Sequence, residues 1–127
     1  MIIGVGTDMV ELPRIARAIK TTGLADKLFT AAEIDMAEGK GQRKVSTLAG
    51  CFAAKEAVVK AIGTGFAGCW PNEVEILRDA VGKPTVTLFG KIRALADERG
   101  IEHIHISISN TAAHALAFAV AEGVLPE

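Results

Sequence analysis

The fold is most constrained by one long helical pattern of apolar residues, which runs from about Lys44 to Ile62. Within it, apolar residues recur three, four or seven positions apart, which is the spacing of one stripe along an α-helix. The stripe consists of Val45, Leu48, Phe52, Val59 and Ile62. Gly63 follows directly, as is typical of a helix C-terminus. We therefore predict a long helix with one apolar face.

Shorter patterns flank this helix. An apolar run over residues 1–5 predicts a strand that places Asp8 at its end, and Pro13 and Gly23 are typical of the start and end of a helix. Thr30 and Glu33 fit a capping box that opens a short helix reaching to about residue 38. The remaining predicted elements are a hairpin over residues 73–88, a helix over 91–99 and two strands over 104–109 and 116–120.

This order of elements predicts an α+β fold, with a mainly antiparallel sheet and helices packed on one face. A chain of 127 residues is the size of one domain, and we expect residues 1–127 to form a single domain. The uncovered face of a sheet in so small a domain favours oligomerisation.

Composition excludes several classes of protein. With 14 basic and 15 acidic residues the chain has no overall basic field for nucleic acid. Its apolar stretches are too short to span a membrane, and its first residues lack the basic region of a secretory signal. Cys51 and Cys69 are too few for a metal quartet or a disulfide framework. We expect a reduced, cytoplasmic chain without nucleic-acid or membrane partners.

Asp8 is the first candidate functional residue. A carboxylate at the end of a buried strand, after Gly4 and Gly6, lies where sheets often present functional groups. The alternative is structural, because Asp8 could cap the helix that begins near Pro13. Position alone favours the structural alternative.

Glu56 interrupts the apolar stripe of the long helix. At 100° per residue it lies only about 40° from Phe52, so its carboxylate is partly desolvated and needs a partner. A surface salt bridge to Lys60, one turn away, is the simpler interpretation. The functional interpretation is that Asp8 and Glu56 bind one Mg²⁺, whose waters stay open to phosphate oxygens. The basic residues that would meet those phosphates are Arg43, Lys44, Lys55 and Lys60.

Two other patterns do not support a site of their own. Residues 63–68 match G-x-G-x-x-G, but they follow a helix, whereas a dinucleotide site needs a strand before the glycines. His103 and His105 share a strand face with two serines, yet no third zinc ligand and no nucleophile elbow accompanies them. We interpret this face as part of an interface or a pocket rim.

Two segments together form a specific pattern. The first is I-G-V-G-T-D-M-V-E from Ile3, and the second is F-x-x-K-E-x-x-x-K-A from Phe52. Residues 28–33, 82–84 and 105–109 fit the same pattern in the same order. Over residues 3–122 the chain resembles the holo-acyl-carrier-protein synthases, which are small, trimeric 4′-phosphopantetheinyl transferases.

The resemblance implies a reaction. The family transfers the 4′-phosphopantetheine arm of coenzyme A to a serine of the acyl carrier protein and releases adenosine 3′,5′-bisphosphate. Asp8 and Glu56 then correspond to the Mg²⁺ ligands, and Lys60 to a lysine that stabilises the leaving group. The serine attacks the β-phosphorus, and its proton passes to Glu56 or to a metal-bound water, two routes that the sequence leaves open.

The resemblance also implies binding residues. In this family the active sites lie between subunits of a trimer, so His105 would face the nucleotide of a neighbouring subunit. The residues implied to bind coenzyme A are Arg43, Lys44, Lys60, Gly63, Pro84 and His105. The basic helix implied to receive an acidic helix of the carrier protein contains Arg14, Arg17 and Lys20.

Three departures from the family pattern stand out. Many relatives have arginine where this chain has Cys51, so one phosphate contact is missing or is supplied by Lys44. Val10 stands where the larger, two-lobed transferases place a second acid, which favours the small trimeric type. The last turn, over residues 109–111, is not of the form commonest in the family.

Two other functions remain open at this point. One is a catalytically silent trimer that binds coenzyme A or a nucleotide, and the other is a Mg²⁺-dependent pyrophosphatase that acts on coenzyme A. The presence of Asp8, Glu56 and Lys60 argues against the silent trimer, because a binding protein has no need of a metal pair.

Overall fold

The computed structural model describes residues 1–66 and 68–126. Ala67, in the glycine-rich segment, and Glu127 lie outside the described residues. The strands are β1 (Ile2–Glu11), β2 (Val74–Arg78), β3 (Pro84–Leu88), β4 (Ile101–Asn110) and β5 (His114–Gly123). The α-helices are α1 (Leu12–Ala18), α2 (Ala25–Leu28), α3 (Ala31–Glu38), α4 (Lys44–Ile62) and α5 (Gly90–Glu98), with short 3₁₀ turns at Gly41–Arg43 and Pro71–Glu73.

The strands form two antiparallel sheets that contact α4. Three long strands pair in the order β1-β5-β4, and β2 pairs with β3 in a separate hairpin. Helix α4 contacts all three strands of the larger sheet and also packs against β2. The predicted α+β class and the antiparallel pairing are confirmed, and the sheet is divided into two parts.

Helix α4 approaches the sheet closely because the facing residues are small. A Cβ atom at Gly6 would lie 2.0 Å from the carbonyl oxygen of Ala57, and one at Gly4 would lie 2.0 Å from that of Ala61. On β5 the residues facing the helix are all alanine, at most 1% exposed: Ala115, Ala117, Ala119 and Ala121. The packing of the helix against the sheet therefore leaves no room for larger side chains.

The outer face of β5 carries the larger apolar side chains. Leu116 and Phe118 are 45% and 47% exposed, and Val5 and Met9 on neighbouring β1 are also exposed. The usual arrangement, with large apolar residues inside and small or polar ones outside, is thus reversed on this strand. The outer face is an apolar surface uncovered in the single chain.

Three predicted elements differ from the structure, and the first is the helix that starts near Pro13, which ends at Ala18 and not at Gly23. The first strand does not end at residue 5 but continues to Glu11, so Asp8 lies within it, opposite Ala117. Helix α4 is not buried along one stripe but on almost every side between Leu48 and Ile62, because both sheets and three other helices surround it. The apolar stripe does not reveal this burial, because alanines and one lysine occupy the other buried faces of the helix.

A buried ion pair joins α3 to α4. The Lys55 and Glu33 side chains are fully buried, and Lys55 Nζ lies 2.8 Å from Glu33 Oε1. The Lys55 ammonium also donates to the carbonyl oxygens of Pro71 and Val74. Burial lowers the pKa of Lys55, and the Glu33 carboxylate opposes that shift.

Glu33 has partners on both oxygens. Its Oε1 accepts the Thr30 N–H at 2.8 Å, and its Oε2 accepts the Ile76 N–H at 2.8 Å. The Thr30 hydroxyl accepts the Glu33 N–H, which completes the predicted capping box. One carboxylate therefore connects a helix start, strand β2 and helix α4.

The predicted helix start at Pro13, helix end at Gly63 and hairpin are confirmed. Pro13 lies in the first turn of α1, and Gly63 ends α4 with φ +93°. The predicted hairpin forms, with Val74 opposite Leu88. Cys51 and Cys69 are free, buried thiols. In the described ranges, no helix has the length and apolar character needed to cross a bilayer.

We expect Gly6→Ala to destabilise the protein by about 2–3 kcal/mol, because the added methyl group must displace either the Ala57 carbonyl or the strand. Gly39→Ala is the matched control, since Gly39 has φ -69° and its Cβ would lie 3.5 Å from its nearest neighbour. The control should change stability by less than about 0.5 kcal/mol in urea unfolding. Equal stability of the two variants would contradict the close contact.

We expect Lys55→Met to cost about 3–5 kcal/mol of unfolding free energy, because it leaves the buried Glu33 carboxylate without its counter-charge. Lys60→Met, in the same helix, should cost less than about 1 kcal/mol, since the Lys60 ion pair is half exposed. Urea unfolding of both variants tests this. A Lys55 variant as stable as the Lys60 variant would show that the buried pair does not stabilise the fold.

Candidate active site

Asp8 lies on the face of β1 that packs against α4. Gly6 precedes it and Val10 follows it on that face, so the close approach at Gly6 brings the Asp8 carboxylate beside the helix. Lys60 Nζ lies 3.3 Å from Asp8 Oδ1 and donates to the Thr7 carbonyl oxygen at 3.0 Å. Asp8 and Lys60 are therefore neighbours although 52 residues separate them.

Glu56 is the third member of this group. Burial raises the pKa of Glu56, the negative charge of Asp8 raises it further, and the charges of Lys60 and Arg14 oppose the rise. The two carboxylates thus repel one another across a half-buried site. A bound cation would relieve this repulsion.

The donor set fits a hard divalent cation. Carboxylate oxygens are the ligands that Mg²⁺ uses in proteins, usually one or two of them, with water and phosphate oxygens completing the shell. In the described part of the chain, no group of three or more histidine, cysteine or acidic residues could hold a metal. Asp8 and Glu56 would therefore supply a minority of the ligands.

The sequence left open two structural roles, a helix cap for Asp8 and an ion pair with Lys60 for Glu56, and the structure contains neither among the described residues. Helix α1 begins after Glu11, and no side chain caps it, so Asp8 is not its N-cap. Lys60 contacts Asp8, and within residues 1–66 and 68–126 no ion pair joins Lys60 to Glu56 within 4 Å. The group is assembled from two elements and not within one helix.

A second feature is a cleft of about 450 Å³ at the N-terminus of α4. It lies between the turn before α4, the β2–β3 hairpin and the end of β4, and Arg43 lines it. Lys44 is not among the residues that line the cleft, and its ammonium lies 2.5 Å from Glu38 Oε1. Pro84 is adjacent to the cleft, because it pairs with Arg78 beside the β2–β3 turn and Arg78 lines the cleft.

The cleft lies at the N-terminal end of α4, away from the carboxylate pair along the helix. Thr47, which lines the cleft, and Glu56 are nine residues apart. Nine residues correspond to about 13 Å along the helix axis and about half a turn around it. Gly63 lies at the C-terminal end of α4, farther along the helix from the cleft than Glu56 is.

His105 faces away from both features. It is on the outer face of β4, and its Nε2 lies 2.9 Å from Glu122 Oε1 on β5. The same face includes the exposed Leu116 and Phe118. In a single chain, His105 therefore contacts neither the cleft nor the carboxylate pair.

Lys55 was expected among the phosphate-facing basic residues, and that expectation is wrong. Its side chain is fully buried and bound to Glu33, so it faces no ligand. Position 55 is 100° from Glu56 on the helix, which turns it into the core. Sequence could not separate these neighbours, because the counter-charge for Lys55 comes from a distant helix.

The basic residues of α1 are exposed. Arg14 and Arg17 lie on α1, whereas Lys20 lies in the turn that follows it. The Arg14 guanidinium carbon is 5.7 Å from the centre of the Phe52 ring, and its charge acts on Glu56. This surface therefore adjoins the carboxylate pair.

Among the residues that line the cleft, the sequence did not identify Lys40, Arg78 and Asn110 as binding residues. For Arg78 a signal was present, because it follows the buried Val74 and Ile76 at intervals of two and so shares their helix-facing side of β2. Asn110 donates its side-chain N–H to the Ser46 carbonyl oxygen at 3.1 Å, which ties β4 to α4 at the cleft.

Comparisons with known proteins agree with this architecture. The sequence model of the 4′-phosphopantetheinyl transferase superfamily matches residues 4–119. A holo-[acyl-carrier-protein] synthase of Clostridium beijerinckii is 46% identical over 125 residues, which cover 98% of this chain and 100% of the relative.

Solved structures are similar over nearly the whole chain. The holo-[acyl-carrier-protein] synthase of Neisseria meningitidis is 39% identical with a TM-score of 0.85, covering 96% of this chain and 99% of that one. The Bacillus anthracis enzyme in complex with coenzyme A (3′,5′-ADP) is 34% identical with a TM-score of 0.79, covering 98% and 99%. The chain belongs to the 4′-phosphopantetheinyl transferase superfamily, among the holo-[acyl-carrier-protein] synthases.

Proposed function

We propose that this chain transfers the 4′-phosphopantetheine arm of coenzyme A to a serine of apo-acyl carrier protein, with Mg²⁺ as its metal. The products are the holo-carrier protein and adenosine 3′,5′-bisphosphate. The contact of Asp8 and Lys60, with Glu56 close enough to Asp8 to be repelled by it, carries the proposal. We further propose that residues 1–127 act as one domain, in the cytoplasm.

Asp8 and Glu56 would hold the metal. When bound, Mg²⁺ would neutralise charge on the pyrophosphate of coenzyme A and so favour departure of adenosine 3′,5′-bisphosphate. Lys60, half exposed beside Asp8, is placed to donate to the leaving phosphate. Glu56, half-buried and close to Asp8, would accept the proton of the carrier serine as that hydroxyl attacks the β-phosphorus.

The active site would be shared between two subunits of a homotrimer. In coenzyme A the 3′-phosphate and the pyrophosphate are attached to the same ribose, a few bonds apart. In one chain Thr47, which lines the cleft, and Glu56 are about 13 Å apart along α4 and about half a turn apart around it. One chain therefore binds one end of the nucleotide, and a neighbour binds the other.

The outer face of the larger sheet supports this assembly. Leu116 and Phe118 form an apolar surface that a single chain leaves in water. His105 lies on the same face, where a second copy would place it near a neighbour's nucleotide. The number of subunits rests on the family resemblance.

The carrier protein would dock on α1. Arg14 and Arg17 are exposed, and the charge of Arg14 acts on Glu56, so an acidic helix bound there would bring its serine to the carboxylate pair. The positive charge of this surface is local, since the whole chain has a net charge of -1.

The transfer itself is measured by intact mass spectrometry of apo-acyl carrier protein with this protein, coenzyme A and Mg²⁺. We expect a gain of about 340 Da on the carrier, abolished by EDTA. Asp8→Asn should slow transfer at least about 100-fold, because the metal loses a charged ligand, while Asp35→Asn, at an exposed position of α3, should not. Free 4′-phosphopantetheine would indicate the pyrophosphatase, and coenzyme A binding without transfer the silent trimer.

A second prediction concerns pH and Mg²⁺. Since folding raises the pKa of Glu56, the folded state holds a proton that the unfolded state releases. The stability of the metal-free protein therefore falls as pH rises from the ordinary carboxyl pKa through the raised one. Mg²⁺ should restore stability above that window and do little below it.

Thermal unfolding with and without Mg²⁺ tests this between about pH 4 and pH 8. Asp8→Asn should reduce both the pH-dependent loss and the gain from Mg²⁺, since it removes the charge that raises the pKa of Glu56. Asp35→Asn should retain both. A full Mg²⁺ effect in the Asp8 variant would remove Asp8 from the metal site.

A further inference from the structure

Three cationic side chains converge on the cleft from separate segments. Lys40 comes from the loop after α3, Arg43 from the turn before α4, and Arg78 from the end of β2. All three are exposed. In the described residues, no acidic oxygen lies within 4 Å of their side-chain nitrogens, whereas Lys44 beside them is bound to Glu38. The cleft therefore holds positive charge that the chain does not neutralise by direct contact.

Among the described residues, Asp79 is the one carboxylate that lines the cleft, and it is engaged elsewhere. Its Oδ1 accepts the backbone N–H of Val81 at 3.0 Å and of Lys83 at 2.9 Å, which shapes the β2–β3 turn. The same turn orders Arg78, whose Nη1 donates to the Gly82 carbonyl oxygen at 3.0 Å. One contact thus fixes the guanidinium, while most of its five N–H donors stay available.

Of the residues that the structure describes, none in helix α4 contributes a cationic side chain to the lining of the cleft. The residue one turn after Thr47 is Cys51, which is 3% exposed and whose thiol lies 3.6 Å from the Ile76 carbonyl oxygen. Burial raises the pKa of Cys51 to about 12, so this position stays neutral. Arg78 lies two residues beyond Ile76 on the same strand face, and its charge acts on Cys51.

We propose that Arg78 is a specificity-determining residue that binds the 3′-phosphate of coenzyme A and distinguishes coenzyme A from 3′-dephospho-coenzyme A. The inference rests on the proposed function and assigns to this chain a phosphate ligand on β2. A guanidinium held by one backbone contact can give two parallel N–H bonds to a phosphate monoester. Lys40 and Arg43 also line the cleft and add positive charge to it.

The test compares two ligands and four proteins by isothermal titration calorimetry on the assembled protein. The ligands are coenzyme A and 3′-dephospho-coenzyme A, and the proteins are wild type, Arg78→Ala, Arg78→Lys and Lys83→Ala. Lys83 is the matched control, an exposed lysine of the same hairpin that does not line the cleft. Its loss should leave both affinities unchanged.

We expect Arg78→Ala to weaken coenzyme A binding about 10- to 100-fold and to leave 3′-dephospho-coenzyme A binding unchanged. Arg78→Lys should recover part of the loss, because it keeps the charge but not the paired N–H geometry. Equal weakening of both ligands, or no weakening of either, would overturn the proposal. So would wild-type protein that binds the two ligands with equal affinity.

The same variants separate this inference from the proposed function. Transfer to apo-acyl carrier protein tests the function, and the difference between the two ligands tests Arg78 without any turnover. A wild-type protein that prefers coenzyme A through Arg78 but transfers nothing would overturn the proposed function and support the 3′-phosphate contact. If the wild-type protein transfers the arm but Arg78→Ala keeps the same ligand preference, the proposed function is supported and the 3′-phosphate contact is overturned.

Discussion

The contact between α4 and the small residues of the larger sheet sets the positions of the other parts. Gly6 allows the helix backbone to touch β1, and the alanines of β5 let it lie flat across the neighbouring strand. Because the helix is this close, Asp8 on β1 reaches Lys60 and acts on Glu56. A larger side chain at Gly6 would push α4 away from β1 and so separate Asp8 from Lys60 and Glu56.

The rotation of α4 about its own axis depends on a second interaction. Lys55 is held by Glu33 and by two backbone carbonyl oxygens, so it anchors one side of the helix in the core. Glu56, the next residue, is then turned about 100° away, toward β1. The buried pair thereby determines where the half-buried carboxylate points, although it lies outside the site itself.

Much of this was predictable from the sequence where the signal was local. Thr30 and Glu33 gave the capping box, and Gly63 the helix end. The pairing of Asp8 with Glu56 came from two separated motifs read together. What could not be predicted was tertiary: Glu33 as the counter-charge of Lys55, and Arg78 and Lys40 brought into one cleft. No spacing rule connects such positions, since the contacts depend on how the elements pack.

The adjacent residues Lys55 and Glu56 have a practical consequence for mutational scanning. A scan that scores only enzyme output would give both positions the same defect, one from loss of the folded population and the other from loss of chemistry. Two neighbours in one helix would then be grouped as a single functional motif. Scoring the abundance of folded protein alongside output would separate them, and would assign Lys55 to the architecture that positions Glu56.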